Sequence, residues 1–260
     1  MTNRLEYIDI HNQLREGNLA DTFPLIRQKV AEMGNWELSE ETENLWTTYR
    51  QMLQFMLQGM NDAQSTRIRA NICQQLSFVA SRLERLERIK NHPEEKYVST
   101  RKELKNIASF ENIVNHLESL SQEINEVTAD ELLRDTVRQY RMDSLKEQHE
   151  TAMLHLFNWT WTCEVWQSTD TEQANRIIFS DSISVNDKAV FITAVTLSLF
   201  EFMDTEKVLF LLDCYLVEDD IVSQRALVGF LLVFHLFFPS TTDRQDLRDR
   251  WRTYSDAATF

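Results

Sequence analysis

One histidine–glutamate pair begins a pattern that could bind zinc. In zinc proteases a helix carries His-Glu and a second histidine one turn later, so that both rings face the metal. His149 and Glu150 supply the start of this pattern, but Met153 stands where the second histidine is needed. The next histidine, His155, would point about 240° away from His149 around a helix. We therefore expect no metal site, and no other motif in the chain indicates a cofactor.

Nucleophilic and nucleotide chemistry also lacks its usual motifs. The cysteines Cys73, Cys163 and Cys214 form no C-x-x-C pair, and the last two lie in apolar stretches that are typical of structural thiols. The glycines form neither a phosphate-binding loop nor the elbow that presents a catalytic serine. A cysteine and a histidine could still meet in space, because such a pair need not be close in sequence. On balance, these patterns favour a protein that is not an enzyme.

Tryptophan is concentrated in the middle of the chain, at Trp159, Trp161 and Trp166. Trp159, Cys163 and Trp166 would share one face of a helix, since they are spaced by four and then three residues. Because tryptophan buries a large apolar area, a core seam is favoured. An aromatic pocket or an exposed docking surface is the alternative. We therefore treat the three tryptophans as candidate contacts for a partner or a ligand.

Two arginine-rich segments, 82–90 and 244–252, mix their cations with carboxylates. Mixed signs are typical of a solvated helix face, and the net charge of -14 opposes binding to nucleic acid. The second segment could instead contact the acidic surface of a partner. Arg244, Arg248 and Trp251 are therefore further candidate contacts, and we expect the partner to be a protein or a peptide.

The most apolar runs, 189–200 and 226–238, are too short to span a membrane. A spanning helix needs about 20 residues, and several charged residues separate the two runs. We expect buried core helices and no transmembrane segment, with a peripheral membrane-associated component as an alternative. The N-terminus, MTNRLEYIDIH, lacks the apolar stretch of a secretory signal, and the low cysteine content fits a reducing compartment. These features favour a cytoplasmic protein.

Glycine and proline are scarce in this chain. The 260 residues include 4 glycines and 3 prolines, and no glycine lies between Gly59 and Gly229. Hairpin turns need residues with positive φ, so a β protein of this length would use many more. Gly17 and Gly34 are placed where the first two helices would end. With 43% hydrophobic residues the chain can bury a core, and we predict an all-α fold.

Residues 1–167 are predicted to form an N-terminal helical bundle. Two long helices, about 62–90 and 100–127, carry apolar seams with steps of three and four residues. The short connector between them indicates a long antiparallel hairpin. A capping box of Thr128 and Glu131 predicts the start of the next helix.

Residues 168–260 contain two segment pairs that look repeated. The segments 171–183 and 188–202 resemble 205–217 and 225–239, at offsets of 34 and 37 residues. Each unit joins an amphipathic helix to one that is apolar nearly all round, and such a helix must be covered on every side. Stacked helix pairs provide that cover, whereas a coincidental pair of hairpins is the alternative. We predict HEAT-like or TPR-like stacked helix pairs here, which could continue beyond the chain end.

Three stretches, LFNWTW (156–161), DKAVFITAVTLSLFEF (187–202) and QRALVGFLLVFHL (224–236), carry a family resemblance. Together they resemble a group of bacterial helical-repeat proteins that are similar to HEAT and tetratricopeptide-repeat (TPR) proteins. The resemblance covers roughly the last 100 residues of the chain. It implies a solenoid, carries over no catalytic residues, and implies that the chain could be the N-terminal part of a longer protein.

These observations predict a non-catalytic protein–protein interaction scaffold of the α-helical repeat type. Stacked helix pairs present extended concave surfaces, which are suited to binding proteins or peptides. The alternative is an enzyme or a small-molecule-binding regulator with a pocket near Trp159 and Trp166.

Overall fold

The computed structural model describes residues 2–58, 63–104, 109–130 and 132–237. Within these ranges the chain forms eleven helices and no strand, which confirms the predicted all-α fold. The helices are α1 (Thr2–Arg15), α2 (Leu19–Met33), α3 (Trp36–Leu57), α4 (Ala63–Asn91), α5 (Lys96–Leu104), α6 (Phe110–Ala129), α7 (Asp135–Thr162), α8 (Ser168–Phe179), α9 (Val185–Glu201), α10 (Thr205–Tyr215) and α11 (Asp220–Phe237). No described helix combines the length and the apolar character that crossing a membrane would require.

The chain divides into two compact units, residues 1–94 and residues 95–260, which we call the N-terminal and the C-terminal unit. The first unit contains α1 to α4, and the second contains α5 to α11. The domain boundary that the sequence placed after residue 167 lies between α7 and α8, inside the C-terminal unit. That division stays a prediction.

In the N-terminal unit, α4 packs against α1, α2 and α3. Both predicted helix-ending glycines are confirmed: φ is 75° at Gly17 and 68° at Gly34, where a residue with a Cβ would be strained. Arg69 of α4 donates from Nη2 to the Gly17 carbonyl oxygen at 2.6 Å, which joins α4 to the turn between α1 and α2. The core is formed mainly by Tyr7, Ile10, Leu14, Leu19, Phe23, Ile26, Val30, Leu38, Leu45, Ile72, Leu76, Val79, Ala80 and Leu83.

The first arm of the predicted hairpin is a single helix, α4, as expected. Its seam residues Leu76, Val79 and Leu83 are buried in the core of the N-terminal unit. The prediction of one second helix from 100 to 127 is wrong, because α5 ends at Leu104 and Ser109 caps a separate helix, α6. The pairing of the two arms stays a prediction.

The predicted capping box at Thr128 is also wrong. Thr128 lies inside α6, and its Oγ1 donates to the Ile124 carbonyl oxygen at 2.7 Å. A threonine hydroxyl can bond back to the preceding turn in this way, so its presence does not by itself mark a helix start. Glu131 lies outside the described residues, and α7 begins at Asp135.

In the C-terminal unit, helices that are next but one along the chain pack side by side. α6 contacts α8, which contacts α10, and α7 contacts α9, which contacts α11. α6 also packs along α7, and α10 packs along α11. α8 and α9 pack against each other less closely than α6 does against α7 or α10 against α11. The three successive helix pairs therefore differ in how closely their two helices pack.

Polar residues begin the last four helices. Gln167 and Asp170 form a reciprocal capping box at α8, and Ser184 accepts from the Asp187 backbone at α9. Asp204 caps α10, and Asp219 accepts from two backbone N–H groups at α11. Each helix start is therefore fixed by its own connector.

Candidate functional site

The three sequence-selected tryptophans lie at and just after the C-terminal end of α7, in the C-terminal unit. Trp166 is only 2% exposed, and its ring lies parallel to that of Phe191, with centroids 6.4 Å apart. The edge of Phe210 meets Trp166 at 5.2 Å. Trp166 therefore belongs to the core of this unit, and its ring has no open surface to offer a partner.

Trp159 and Trp161 are half-buried. Trp159 stacks on Phe110 of α6, with ring centroids 4.0 Å apart and an angle of 2° between the planes. Trp161 meets Tyr97 of α5 edge to face at 5.4 Å. Both rings therefore join α7 to neighbouring helices, as aromatic pairs in cores commonly do. The other sequence-selected residues, Arg244, Arg248 and Trp251, lie outside the described residues.

A buried lysine lies beside this aromatic cluster. Lys207 of α10 is 0% exposed, and its Nζ donates to the carbonyl oxygens of Cys163 and Glu164 at 2.5 and 3.2 Å. Its third bond goes to Ser198 Oγ of α9 at 2.8 Å. The ammonium also lies 5.7 Å from the centre of the Trp166 ring. An ammonium has three donors, and here each of them has an acceptor.

A buried aspartate holds the other side of the same connector. Asp204 accepts from the Trp166 backbone N–H at 2.9 Å and from that of Glu206 at 3.2 Å. Burial raises the pKa of Asp204, although the Trp166 hydrogen bond and the charge of Lys207 act in the opposite direction. We call Asp204, Lys207 and Ser198, together with backbone 163–166, the α7–α8 latch. It fixes the chain between α7 and α8 onto α9 and α10.

The latch contains a serine and a lysine at hydrogen-bonding distance, a combination that some hydrolases use for catalysis. In such a pair the lysine must be neutral to accept the serine proton. Lys207 instead gives all its donors to acceptors, and Ser198 Oγ donates to the Cys163 carbonyl oxygen at 3.0 Å. Ser198 is also 1% exposed. This geometry satisfies the unpaired carbonyl groups at the end of α7, which is a structural role.

The three cysteines are not activated as nucleophiles. Burial raises the pKa of Cys163 to about 11, and it also raises the pKa values of Cys73 and Cys214. A thiol with a raised pKa is protonated at neutral pH and reacts slowly. All three are free thiols. Among the described residues, no three histidine, cysteine or acidic side chains come together in a way that could hold a metal ion.

His149, which begins the incomplete zinc-binding pattern, lies beside a carboxylate and not beside a second metal-binding residue. His149 Nε2 lies 3.2 Å from Asp187 Oδ2, which also accepts from Ser184 Oγ at 2.7 Å. His149 therefore connects α7 to the capped start of α9. Because Asp187 lies in the first turn of that helix, its negative charge is favourable there even without the histidine.

The N-terminal unit has a surface groove of about 520 Å³ between α1, α2 and α4. On its wall, Lys29 Nζ bonds Glu6 at 2.8 Å, lies 3.7 Å from Glu87 and sits 4.7 Å from the Tyr7 ring centre. Burial, and secondarily the nearby Glu87 carboxylate, raises the pKa of Tyr7. Lys29, one of the two lysines that line the groove, is therefore already paired with carboxylates of the protein itself.

The most apolar exposed surface among the described helices of the C-terminal unit lies on α11. Ile221, Val228, Leu231 and Leu232 are each about half exposed, and we call these four residues the α11 outer face. The opposite side of the helix, with Val222, Ala226 and Val233, is buried against its neighbours. The sequence predicted that this helix is apolar nearly all round and covered on every side, so its exposed side was not expected. Comparison with known proteins adds no name to this surface: no family model, no curated protein and no solved structure matches the chain.

Proposed function

We propose that the protein is a non-catalytic scaffold that binds another protein or a peptide, and that α6 to α11 form a HEAT-like or TPR-like stack. The observation that carries this proposal is the order of helix contacts in the C-terminal unit. One row runs α6–α8–α10 and a second runs α7–α9–α11. Two parallel rows are what stacked helix pairs produce, because each pair covers the next.

The buried polar groups support the same view. In an enzyme, groups with shifted pKa values converge on a cleft where a substrate can reach them. Here the shifted group Asp204 caps a helix, and the adjacent Lys207 closes the end of another. Their hydrogen bonds hold the helices in register, and a scaffold needs that rigidity to present a fixed surface.

The chemistry of the surface favours a protein partner. The chain carries 41 acidic and 27 basic residues, and so it would repel the phosphates of nucleic acid. At the same time, α11 exposes apolar side chains of the kind that protein partners cover.

Affinity capture from a lysate of the native host tests the proposal. The tagged full-length chain should retain a partner protein at a stoichiometric ratio, measured by quantitative mass spectrometry. Trp159→Ala runs beside it with a folding check by circular dichroism, because Trp159 is half-buried and stacked on Phe110. Retention of a small molecule in native mass spectrometry, with no stoichiometric protein, would contradict the scaffold function and favour a ligand-binding regulator.

A further inference from the structure

The α11 outer face occupies the open position of a row of helices. α9 lies between α7 and α11 in this row, so both of its sides are covered. α11 packs on α9 and α10, while Ile221, Val228 and Leu232 remain 49–54% exposed. The middle helix of the row, α9, thus has a helix on each side. The outer side of α11, by contrast, exposes apolar side chains to solvent.

The spacing of this surface suits a helix. Ile221, Val228 and Leu232 are separated by seven and four residues, which places them along one line of α11, with the exposed Arg225 on the same line between Ile221 and Val228. The line is about 16 Å long at a rise of 1.5 Å per residue. Leu231 lies beside this line near its C-terminal end, and the four residues together form an apolar strip. An amphipathic helix of three to four turns could lay its apolar positions along a strip of this length.

The net charge of this part of the chain favours a basic partner. Between residues 201 and 237 the basic residues are Lys207, which is buried in the latch, the exposed Arg225, which donates to Thr193 Oγ1 at 3.1 Å, and the exposed His235 in the last turn of α11. Seven acidic residues lie in the same range: Glu201, Asp204, Glu206, Asp213, Glu218, Asp219 and Asp220. Glu218 and Asp220 are exposed beside Ile221, at one end of the strip.

The C-terminal unit as a whole also carries a net negative charge. Residues 95–260 contain 28 acidic and 16 basic residues, against 13 and 11 in residues 1–94, so the net negative charge is concentrated in the unit that carries the strip. Complementary charge favours encounter with basic partners and opposes acidic ones. An anionic lipid surface would be repelled for the same reason.

We propose that the α11 outer face binds an amphipathic helix of a partner protein, with leucine-type side chains on the strip and lysine or arginine on its flanks. The proposal rests on the scaffold function and gives that function a surface and a partner chemistry. The exposed carboxylates Glu218 and Asp220 would face the basic flank at the N-terminal end of α11.

Binding of two synthetic peptides to the full-length chain tests this proposal. Both are 18-residue helical peptides with the same leucine stripe, and they differ only in carrying lysine or glutamate at the outward positions. Measured by fluorescence anisotropy, the lysine peptide should bind at least about tenfold more tightly than the glutamate peptide, and added salt should reduce that difference. Equal binding of the two peptides, or binding of neither, would overturn the proposal.

Substitutions in the full-length chain locate the binding surface. Val228→Ser combined with Leu232→Ser should weaken the lysine peptide about tenfold or more, because two half-exposed apolar anchors are lost. Leu154→Ser is the matched control, since Leu154 is 57% exposed on α7, and it should leave binding unchanged. Glu218→Gln with Asp220→Asn should weaken the lysine peptide only. An equal loss in the Leu154→Ser control would contradict binding at α11.

Two other possible occupants of the α11 outer face would give different results in these experiments. If the chain's own C-terminal segment occupied the strip, the lysine peptide would bind only after Leu247→Ser with Trp251→Ser. If a second copy occupied it, the wild type would elute as a dimer and Val228→Ser with Leu232→Ser as a monomer. Either result would overturn the proposal. If the native partner is still captured by the Val228→Ser and Leu232→Ser variant, the scaffold function stands and this surface assignment fails.

Discussion

At the scale of single residues, the α7–α8 latch contains a fully buried ammonium, that of Lys207. A lysine is rarely buried completely, because removing an ammonium from water is costly unless it is fully hydrogen-bonded. Lys207 meets this condition with two carbonyl oxygens and Ser198 Oγ. The sequence places Lys207 as one charged residue on an amphipathic helix. Its role depends on the end of α7, 44 residues earlier, so local pattern cannot predict it.

Replacing Lys207 with methionine tests the latch. Lys207→Met keeps the length of the side chain but leaves the Cys163 and Glu164 carbonyl groups without their donor. We expect the free energy of unfolding to fall by about 2–4 kcal/mol, measured by urea denaturation. Lys146→Met is the control, because Lys146 is exposed on α7, and it should change stability by less than about 0.5 kcal/mol. Similar stabilities of the two variants would contradict the latch.

His11 gives the N-terminal unit a predictable pH dependence. Burial, and secondarily the charge of Arg15, lowers the pKa of His11 below its usual 6.5, and its Nδ1 lies 3.2 Å from Ser77 Oγ. The unfolded chain therefore binds a proton on His11 at a higher pH than the folded chain does. The stability contributed by neutral His11 is complete above pH 6.5 and is lost as the pH falls through the lower folded value.

Urea denaturation between about pH 8 and about pH 5 checks this dependence. Wild-type stability should fall over that range, whereas His11→Gln, which keeps a polar group but does not titrate, should show a smaller fall. The difference between the two proteins isolates His11 from the many exposed carboxylates. A parallel fall in both proteins would show that other groups control the acid sensitivity.

At the scale of elements, the contact between α9 and α11 depends on a glycine in the middle of α11. A Cβ added at Gly229 would lie 2.3 Å from Thr196 Oγ1, which is closer than any real contact. Thr196 in turn donates to the Ile192 carbonyl oxygen at 3.0 Å. The glycine therefore permits a close approach of the two helices, although glycine lowers the intrinsic stability of α11 by about 1 kcal/mol relative to alanine.

Gly229→Ala should therefore destabilise the protein despite the better helix propensity of alanine. We expect a loss of about 1–3 kcal/mol, the usual cost of forcing extra atoms into a packed contact. Thr196→Ala removes the clashing Oγ1 and should restore most of the stability of the Gly229→Ala protein. Thermal denaturation of the wild type, both single variants and the double variant gives the coupling energy. Additive effects would contradict the close contact.

The elements were predicted with uneven success for identifiable physical reasons. The helices of residues 168–237 carry strong apolar periodicity and polar caps such as Ser184, and each begins within five residues of the start of the corresponding repeated segment. The stretch from 100 to 127 also has a regular seam, yet it divides at Ser109. An apolar seam indicates which side of a helix is buried. The same spacing of apolar residues can continue across a short break between two helices, so the seam does not show where one helix ends.

The candidate contacts of the site were harder to predict than the helices. The spacing predicted that Trp159, Cys163 and Trp166 share one helix face, which is wrong because α7 ends at Thr162. The expected core position holds for Trp166, which packs with Phe191. The outer face of α11 was missed, since Ile221, Val228 and Leu232 have the same apolar character as its buried side. Which side faces solvent is decided by the neighbours α9 and α10, and the sequence of α11 does not contain that information.

At the scale of the whole molecule, the two units should be separable. Each has its own buried core, with α1 to α4 in one and α5 to α11 in the other. Fragments 1–94 and 95–260, expressed apart, should each show helical circular dichroism and a cooperative thermal transition. A fragment of residues 1–94 that lacks a cooperative transition would show that the N-terminal unit needs the rest of the chain.

The protonated state of the three thiols has a practical consequence for labelling. Maleimide reagents attack thiolates, and Cys73, Cys163 and Cys214 are all held as thiols near neutral pH by burial. A new cysteine at an exposed position, such as Leu154→Cys, would ionise far more readily and react first. A single dye could therefore be attached to the Leu154→Cys chain for single-molecule measurements without replacing any of the native cysteines.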